Sequence, residues 1–461
     1  MRILVQKFGG TSVATEEARQ RAASKVIRAV QAGWNVVVVV SAIGRAGAPY
    51  ATDTLIKTLH DVDPTVPPAP RELDLMMACG EIISTVILAH TLRASGIETI
   101  ALTGPQAGIR TDYQFGNARI LRIEPRYIVE MLQQQKVVLV AGFQGGTDRG
   151  AITTLGRGGS DTTAAALGAA LKPHCHQIEV EIYTDVTGVK TADPRHVPMA
   201  RTLTKATYEE VSEMAHQGAK VVHPRAAEIA GIHGVPLWVK NTFDDEQGTL
   251  ITAESPTQGG KARFTGVTHT GKLVYLRFPL TGESSERDRA QVEVEVYRLL
   301  EREKIPVHLT SASDTDFAFA VERTHLPRVR ELLDGLVLPI QLGVVRRQPP
   351  FGTIYLLGIG TQGRGFKAQG ALLEAARSFV AVRHIHTDVV ENCTMVSVIA
   401  SGLEDIPGVV LRTLNALNQA EIPVFQTADS RHSISALIPE ADAQKATRVL
   451  HDEFRLGETN E

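Results

Sequence analysis

Little in this chain is out of balance, and what is scarce narrows its class. Only three cysteines occur, Cys79, Cys175 and Cys393, too far apart and odd in number for a disulfide framework. A reducing compartment, the cytoplasm, is therefore expected. Neither sign of charge is in excess: 48 Lys and Arg stand against 51 Asp and Glu, for a net charge of -3. There is no basic stripe with interleaved aromatics, so no nucleic-acid partner is expected. Long apolar runs are missing as well. The longest β-branched run, Val36–Val40, is far too short to cross a bilayer, and no membrane partner is expected. The chain opens directly on a strand-like stretch, leaving no room for the charged and apolar regions of a signal peptide. A length of 461 residues points to two or three domains.

What is present begins at Arg2–Val13. A short apolar run ends in Lys7-Phe8-Gly9-Gly10-Thr11-Ser12, and helix-forming sequence follows. A strand ending there brings backbone N–H groups, an ammonium and a helix N-terminus to one spot, which is a phosphate site. It is not a P-loop, whose lysine comes after the glycines.

The first half alternates strand and helix patterns. Strands are expected at Ile3–Val5, Val36–Val40, Thr99–Leu102, Val137–Val140, Ile178–Tyr183 and Val235–Val239. Thr15 can cap a helix whose apolar face is Ala18, Ala22, Val26, Ile27 and Val30, and Gly33 ends it. Further helices are expected at Glu72–Ser95 and Thr162–Leu171. The result is a layered α/β unit with a mainly parallel sheet. Its strand ends run into polar and glycine residues, among them Ser41, Gly142, Thr184, Asp185 and Lys240, and ligands sit at that edge of open parallel sheets.

Asp244–Gly266 is rich in Gly, Ser, Thr and Pro and reads as a linker. After it come two spaced β-α-β-β-α units, a ferredoxin-like signature whose copies can pair their sheets. The expected division is a catalytic domain at 1–243, a linker at 244–266, a first regulatory unit at 267–345, an extra segment or elaborated connection at 346–392, and a second unit at 393–461.

Six motifs occur in order: Lys7–Val13; Cys79-Gly80-Glu81; Gly156-Arg157-Gly158-Gly159-Ser160-Asp161; Tyr183–Val189; Thr191–Arg195; and Gly218-Ala219-Lys220-Val221. Gly156–Asp161 offers backbone N–H groups for phosphate beside an arginine that can grip a carboxylate bidentately. Taken together the set resembles aspartokinase, of the amino-acid kinase family, and the tail resembles the ACT regulatory domains of those enzymes. The resemblance implies a three-layer αβα amino-acid kinase fold followed by ferredoxin-like ACT domains. It implies ATP, with Mg2+, as phosphoryl donor and the β-carboxylate of L-aspartate as acceptor, in the first step of lysine, threonine and methionine biosynthesis. Catalytic roles fall on Lys7, Glu81, Arg157 and Asp161. Glu81 would take the substrate's α-amino group and Arg157 its α-carboxylate, with Ser41, Gly158, Gly159 and Ser160 lining the same pocket. Lys7 would neutralise charge on the transferring phosphoryl group, and Asp161 would help organise donor and acceptor. The nucleotide would lie against Lys7, Phe8, Gly9, Gly10, Ser41, Ser160, Thr184, Asp185, Lys190, Asp193, Pro194, Arg195 and Lys220. Another amino-acid kinase, or a non-catalytic amino-acid sensor, is the alternative.

Two further motifs point elsewhere. Gly358-Ile-Gly-Thr-Gln-Gly363 satisfies G-x-G-x-x-G and resembles the opening of homoserine dehydrogenases, but too few residues follow for that second enzyme. His174-Cys175-His176 lacks a partner pair spaced for zinc, and no protein-held metal site is expected. In the tail, an effector site is expected at Asp405, Gly408, Val409, Gln426, Asp429 and Ser430. Prolines at Ile305-Pro306 and Ile422-Pro423 depart from the family's usual effector loops, and the stretch Ile422–Ser430 resembles the diaminopimelate-sensitive class. Diaminopimelate is the first expected effector, then lysine and threonine. A homo-oligomer, dimer or tetramer, paired through the ACT units is also expected.

Overall fold

The computed structural model describes residues 1–219, 221–254, 263–279, 286–313, 316–334, 354–356, 366–368, 387–403 and 406–458. Lys220, Asp405, the glycine motif at 358–363 and most of the extra segment lie outside them.

Eight strands form the first sheet, in the order Lys205–Thr207, Thr249–Thr252, Leu237–Asn241, Gln177–Thr184, Arg2–Phe8, Asn35–Val40, Val137–Ala141 and Thr99–Leu102. All neighbours are parallel except Leu237–Asn241 against Thr249–Thr252. The last pair corrects the linker reading. Thr249–Thr252 alternates buried and half-buried residues and is paired on both sides, between Leu237–Asn241 and the edge strand Lys205–Thr207, so it is part of the sheet rather than a free connection.

Alternation along the central strands decides what each face meets. Ile3, Val5, Val37 and Val39 join one buried cluster with Ala164, Ala165, Leu167 and Leu171. Leu4, Phe8, Val36, Val38 and Val40 join the other, with Ala22, Val26, Leu88 and Leu92. Both faces are covered by helices, which is why these strands read as continuous apolar runs. Lys7 follows the parity of Ile3 and Val5. It therefore leaves the sheet on the face that carries the helix Gly159–Leu171.

The helix Glu16–Gln31 starts as expected, with the Thr15 hydroxyl accepting from Ala18 N at 3.1 Å. Pro70–Ala94 is long and apolar enough to cross a membrane by length and composition alone. Here it carries the buried Asp74, Glu81 and Leu88 across the sheet's flank. A second, four-stranded sheet (Ile120–Ile123, Ile109–Thr111, Gln144–Gly146, Ile152–Thr154) escaped the sequence reading, because strands this short show too little periodicity.

In the second half, Arg263–Pro279 and Asp388–Ser401 pair antiparallel and fuse two β-α-β-β-α units into one six-stranded sheet. Sheet pairing within the chain thus supplies the neighbour each small unit needs. The helix Tyr208–His216 of the first half docks on this sheet. Thr265 Oγ1 donates to Glu210 at 2.5 Å, Ser433 Oγ to Glu213 at 2.5 Å, and Ser397 Oγ to Gln217 at 3.2 Å. Farther along, Thr191 Oγ1 meets His451 Nε2 at 3.0 Å, and Arg201 Nε donates to Leu456 O at 3.0 Å.

Candidate active site

The site forms where the first strand, the loop after the second, the helix Pro70–Ala94 and the helix Gly159–Leu171 converge. Lys7 Nζ lies 2.6 Å from Asp161 Oδ1, and both side chains are 12% exposed. The expected helix start at Thr162 moves to Gly159. Gly158 is the N-cap, in the left-handed region at φ 69°. Ser160 and Asp161 consequently lie inside the first turn, where an anion faces the positive end of the helix dipole. A side chain at Gly158 is excluded twice. Its φ disfavours one, and a Cβ would lie 2.1 Å from His223 Cγ. His223 in turn donates its backbone N–H to Asp161 Oδ2 at 3.3 Å, and burial holds its imidazole below the ordinary histidine value.

The glycines after Lys7 serve close approach. A Cβ on Gly10 would meet Gly44 O at 2.6 Å and Ala42 O at 2.7 Å, so the loop beyond Val40 can lie flat on the first turn. Gly9 N donates to Tyr183 O at 3.3 Å, and the Phe8 and Tyr183 rings stack at 4.9 Å. Ser41 N donates to Phe8 O at 3.1 Å. Gly80 repeats the device: its Cβ would fall 2.7 Å from Tyr50 O and 2.9 Å from Ala42 Cβ. That contact lets the next residue, Glu81, reach the loop.

Glu81 is 3% exposed and accepts one hydrogen bond, from Ala42 N at 3.2 Å, while its Oε2 has no partner. Burial raises its pKa to about 8, opposed only in part by the backbone bonds. A buried carboxyl with one open oxygen is suited to an incoming ammonium. Arg157 is exposed and makes no hydrogen bond or ion pair among the described residues. Its guanidinium is available to a carboxylate.

The remaining expected residues divide. Ser160 packs against Gly142, where a Cβ would sit 3.0 Å from its Oγ. Thr184 Oγ1 donates to Asp185, and Asp185 pairs with Arg45 at 2.7 Å on the surface. Arg45 was not singled out, although its place between Gly44 and Gly47 after a central strand was a usable signal. Lys190 Nζ donates to Thr202 Oγ1 at 3.1 Å. Asp193 holds the Arg195 guanidinium across Pro194 at 2.6 Å, and that bond lowers the Asp193 pKa. No hydrogen bond or ion pair joins this Lys190–Arg195 stretch to Lys7 among the described residues; Thr191, within it, bonds His451 of the regulatory half instead.

Of the effector residues, Gly408 caps the helix Val409–Gln419 at φ 81°, and Val409 is buried beneath it. Gln426 Nε2 reaches across to Leu309 O of the other unit at 3.0 Å. Asp429 is exposed, and the Ser430 hydroxyl closes the turn to Ser433.

Comparison with known proteins gives the family and the fold. Residues 2–241 match the amino acid kinase family, and residues 388–452 match an ACT domain. The chain is 36% identical to aspartokinase 1 of Bacillus subtilis (strain 168), over 99% of this chain and 100% of that one. It is 36% identical to the aspartokinase of Pseudomonas aeruginosa, over 99% of this chain and 98% of the other. The fold matches E. coli aspartokinase III in complex with aspartate and ADP, with a TM-score of 0.71 at 24% identity, covering 98% of this chain and 99% of that one. The chain is a member of the aspartokinase family.

Proposed function

We propose that this protein transfers the γ-phosphoryl group of ATP to the β-carboxylate of L-aspartate, giving 4-phospho-L-aspartate. The observation that carries the reading is the Lys7–Asp161 pair, set between a strand end and a glycine-capped helix N-terminus. A carboxylate acceptor, with an ordinary pKa near 4, is ionised at pH 7 and needs no general base. The work left is to hold two anions in line and neutralise charge as it moves. Lys7, held by Asp161, supplies a fixed ammonium. The first-turn N–H groups of Gly159–Leu171 add the positive end of a dipole. Glu81 binds the α-ammonium and Arg157 the α-carboxylate, which leaves the β-carboxylate to face the phosphoryl group.

Magnesium fits this donor set as an ion delivered by the nucleotide. Among the described residues no three His, Cys, Asp or Glu side chains gather into a cage. Mg2+ ordinarily keeps several waters and leans on substrate phosphates plus one or two carboxylates, and Asp161 is the carboxylate that would serve it. Its chemistry there is neutralisation of the β and γ phosphates.

The nucleotide contacts of Thr184, Asp185, Lys190, Asp193, Pro194, Arg195 and Lys220 belong to the same reading. So do a catalytic unit that takes in the strand Thr249–Thr252 and a regulatory remainder. The ACT units bind an amino-acid end product, diaminopimelate before lysine or threonine, and mediate a homo-oligomer. The three cysteines are all free, which supports a cytoplasmic setting. A hydroxamate assay with aspartate, glutamate, acetylglutamate and carbamate tests the acceptor. Turnover with aspartate is expected; turnover with another acceptor alone assigns a sister amino-acid kinase, and effector binding without ATP turnover assigns a sensor.

A further inference from the structure

Asp74 is fully buried and has no cationic partner among the described residues. It sits in the second turn of Pro70–Ala94, seven residues before Glu81, so the two carboxyls share one helix face about 10 Å apart. A buried carboxylate is tolerated only when donors saturate it. Here they come from two distant segments. Gly116 N donates to Oδ1 at 2.9 Å and Oδ2 at 3.0 Å, Thr154 N to Oδ2 at 2.7 Å, and Thr154 Oγ1 to Oδ1 at 2.8 Å.

Both segments flank the turn that carries Arg157. Thr154 begins it, and Thr154 O accepts Ala118 N at 2.8 Å. Gly116 and Asn117 press against Gly156: a Cβ there would lie 2.8 Å from Asn117 Oδ1 and 3.3 Å from Gly116 O, and Gly156 has φ 74°. Leu155 is tied at both ends, its N–H to Phe143 O at 2.9 Å and its carbonyl to Arg225 Nη1 at 3.1 Å. Arg157 itself makes no hydrogen bond or ion pair among the described residues, so its position is that of the backbone beneath it.

We propose that Asp74 is a positioning residue that fixes the distance between Glu81 and Arg157, and so matches the site to the α-ammonium and α-carboxylate of aspartate. This rests on the reading of Glu81 and Arg157 given above. The clamp joins the helix bearing one group to the turn bearing the other, and orientation of this kind is set by packing and supporting hydrogen bonds.

Asp74→Asn keeps the shape but turns one acceptor oxygen into a donor facing N–H groups. In the full-length protein it is expected to raise KM for aspartate at least tenfold, with KM for ATP within about twofold. Thr154→Val removes only the hydroxyl bond and should raise the aspartate KM about threefold, again leaving ATP unaffected. This variant decides the question if Asp74→Asn does not fold. Equal changes in both KM values, or no change in aspartate KM in folded protein by melting temperature, overturn the proposal. If Arg157→Ala leaves aspartate KM unchanged, the site reading itself fails. If Arg157→Ala raises it while Asp74→Asn and Thr154→Val do not, only the positioning role fails.

Discussion

Lys7 and Asp161 lie 2.6 Å apart, one at the end of the first strand and the other in the first turn of a helix far along the chain. The pair holds an ammonium at the positive end of a helix, where an anion would gain from both. Asp161 offsets the repulsion that Lys7 would otherwise feel, and His223 N braces Asp161 from behind.

Lys7→Ala is expected to lower kcat by roughly 10²–10³-fold with a small change in aspartate KM, because the ammonium acts on charge that develops during transfer. A double-mutant cycle with Asp161→Asn, read by chemical denaturation, should give a coupling of about 0.5–3 kcal/mol. Additivity would mean that the two side chains act independently.

Arg157→Ala should behave differently. Its aspartate KM is expected to rise by the equivalent of roughly 2–4 kcal/mol, since the substrate carboxylate loses its charged partner. The melting temperature should not move, because Arg157 is exposed and makes no hydrogen bond or ion pair among the described residues. Arg157→Lys should recover only part of the loss, as an ammonium cannot bind bidentately.

Glu81 gives a pH signature. Its folded pKa is about 8 against an ordinary 4.5, so the folded state keeps a proton that the unfolded chain releases. Stability from this group therefore falls as pH rises from 4.5 to about 8 and is level on either side. Glu81→Gln is expected to be more stable than the parent at pH 8, by a few kcal/mol at order of magnitude, with the gap closing below pH 4.5. Aspartate binding needs the ionised form. Calorimetry in buffers of different ionisation enthalpy should accordingly show a proton released on binding at pH 7. No buffer dependence would place the ammonium elsewhere.

The two halves of the chain meet along a hydrogen-bonded seam. Ser433 and Ser397 donate to Glu213 and Gln217, and Gln217 Nε2 also donates to Glu213 at 3.0 Å. Glu213→Ala with Gln217→Ala is expected to leave the uninhibited kcat unchanged and to weaken inhibition by the effector about fivefold or more. Rates with and without diaminopimelate, lysine and threonine provide the measurement. Unchanged inhibition by an active effector would exclude the seam from the coupling route.

Much of the catalytic half was legible because local patterns carry it. The β-branched runs Val36–Val40 and Val137–Val140, the cap at Thr15 and the lysine–glycine strand end each depend on neighbours within a few residues. The start of the helix at Gly159 was misplaced because an αL glycine can begin a helix without any side-chain cap. Thr249–Thr252 reads as linker because four residues flanked by Asp, Gly, Ser and Pro show too little periodicity, and only pairing with Leu237–Asn241 and Lys205–Thr207 makes them a strand.

Local patterning in the chain specifies the parallel α/β architecture, the two regulatory units and the residue types of the site: one lysine, one arginine, one glutamate on a helix and a glycine turn. Those follow from periodicity and from chemistry that only a few side chains can perform. Tertiary structure alone decided that Asp161 meets Lys7, that Glu81 is buried enough to keep its proton near pH 7, that Asp74 ties its helix to the Arg157 turn, and that Glu213 and Gln217 face the regulatory sheet. The physical reason is that desolvation and ion pairing depend on packing between segments far apart in the chain. Periodicity tells which face of an element is buried, but not what it is buried against.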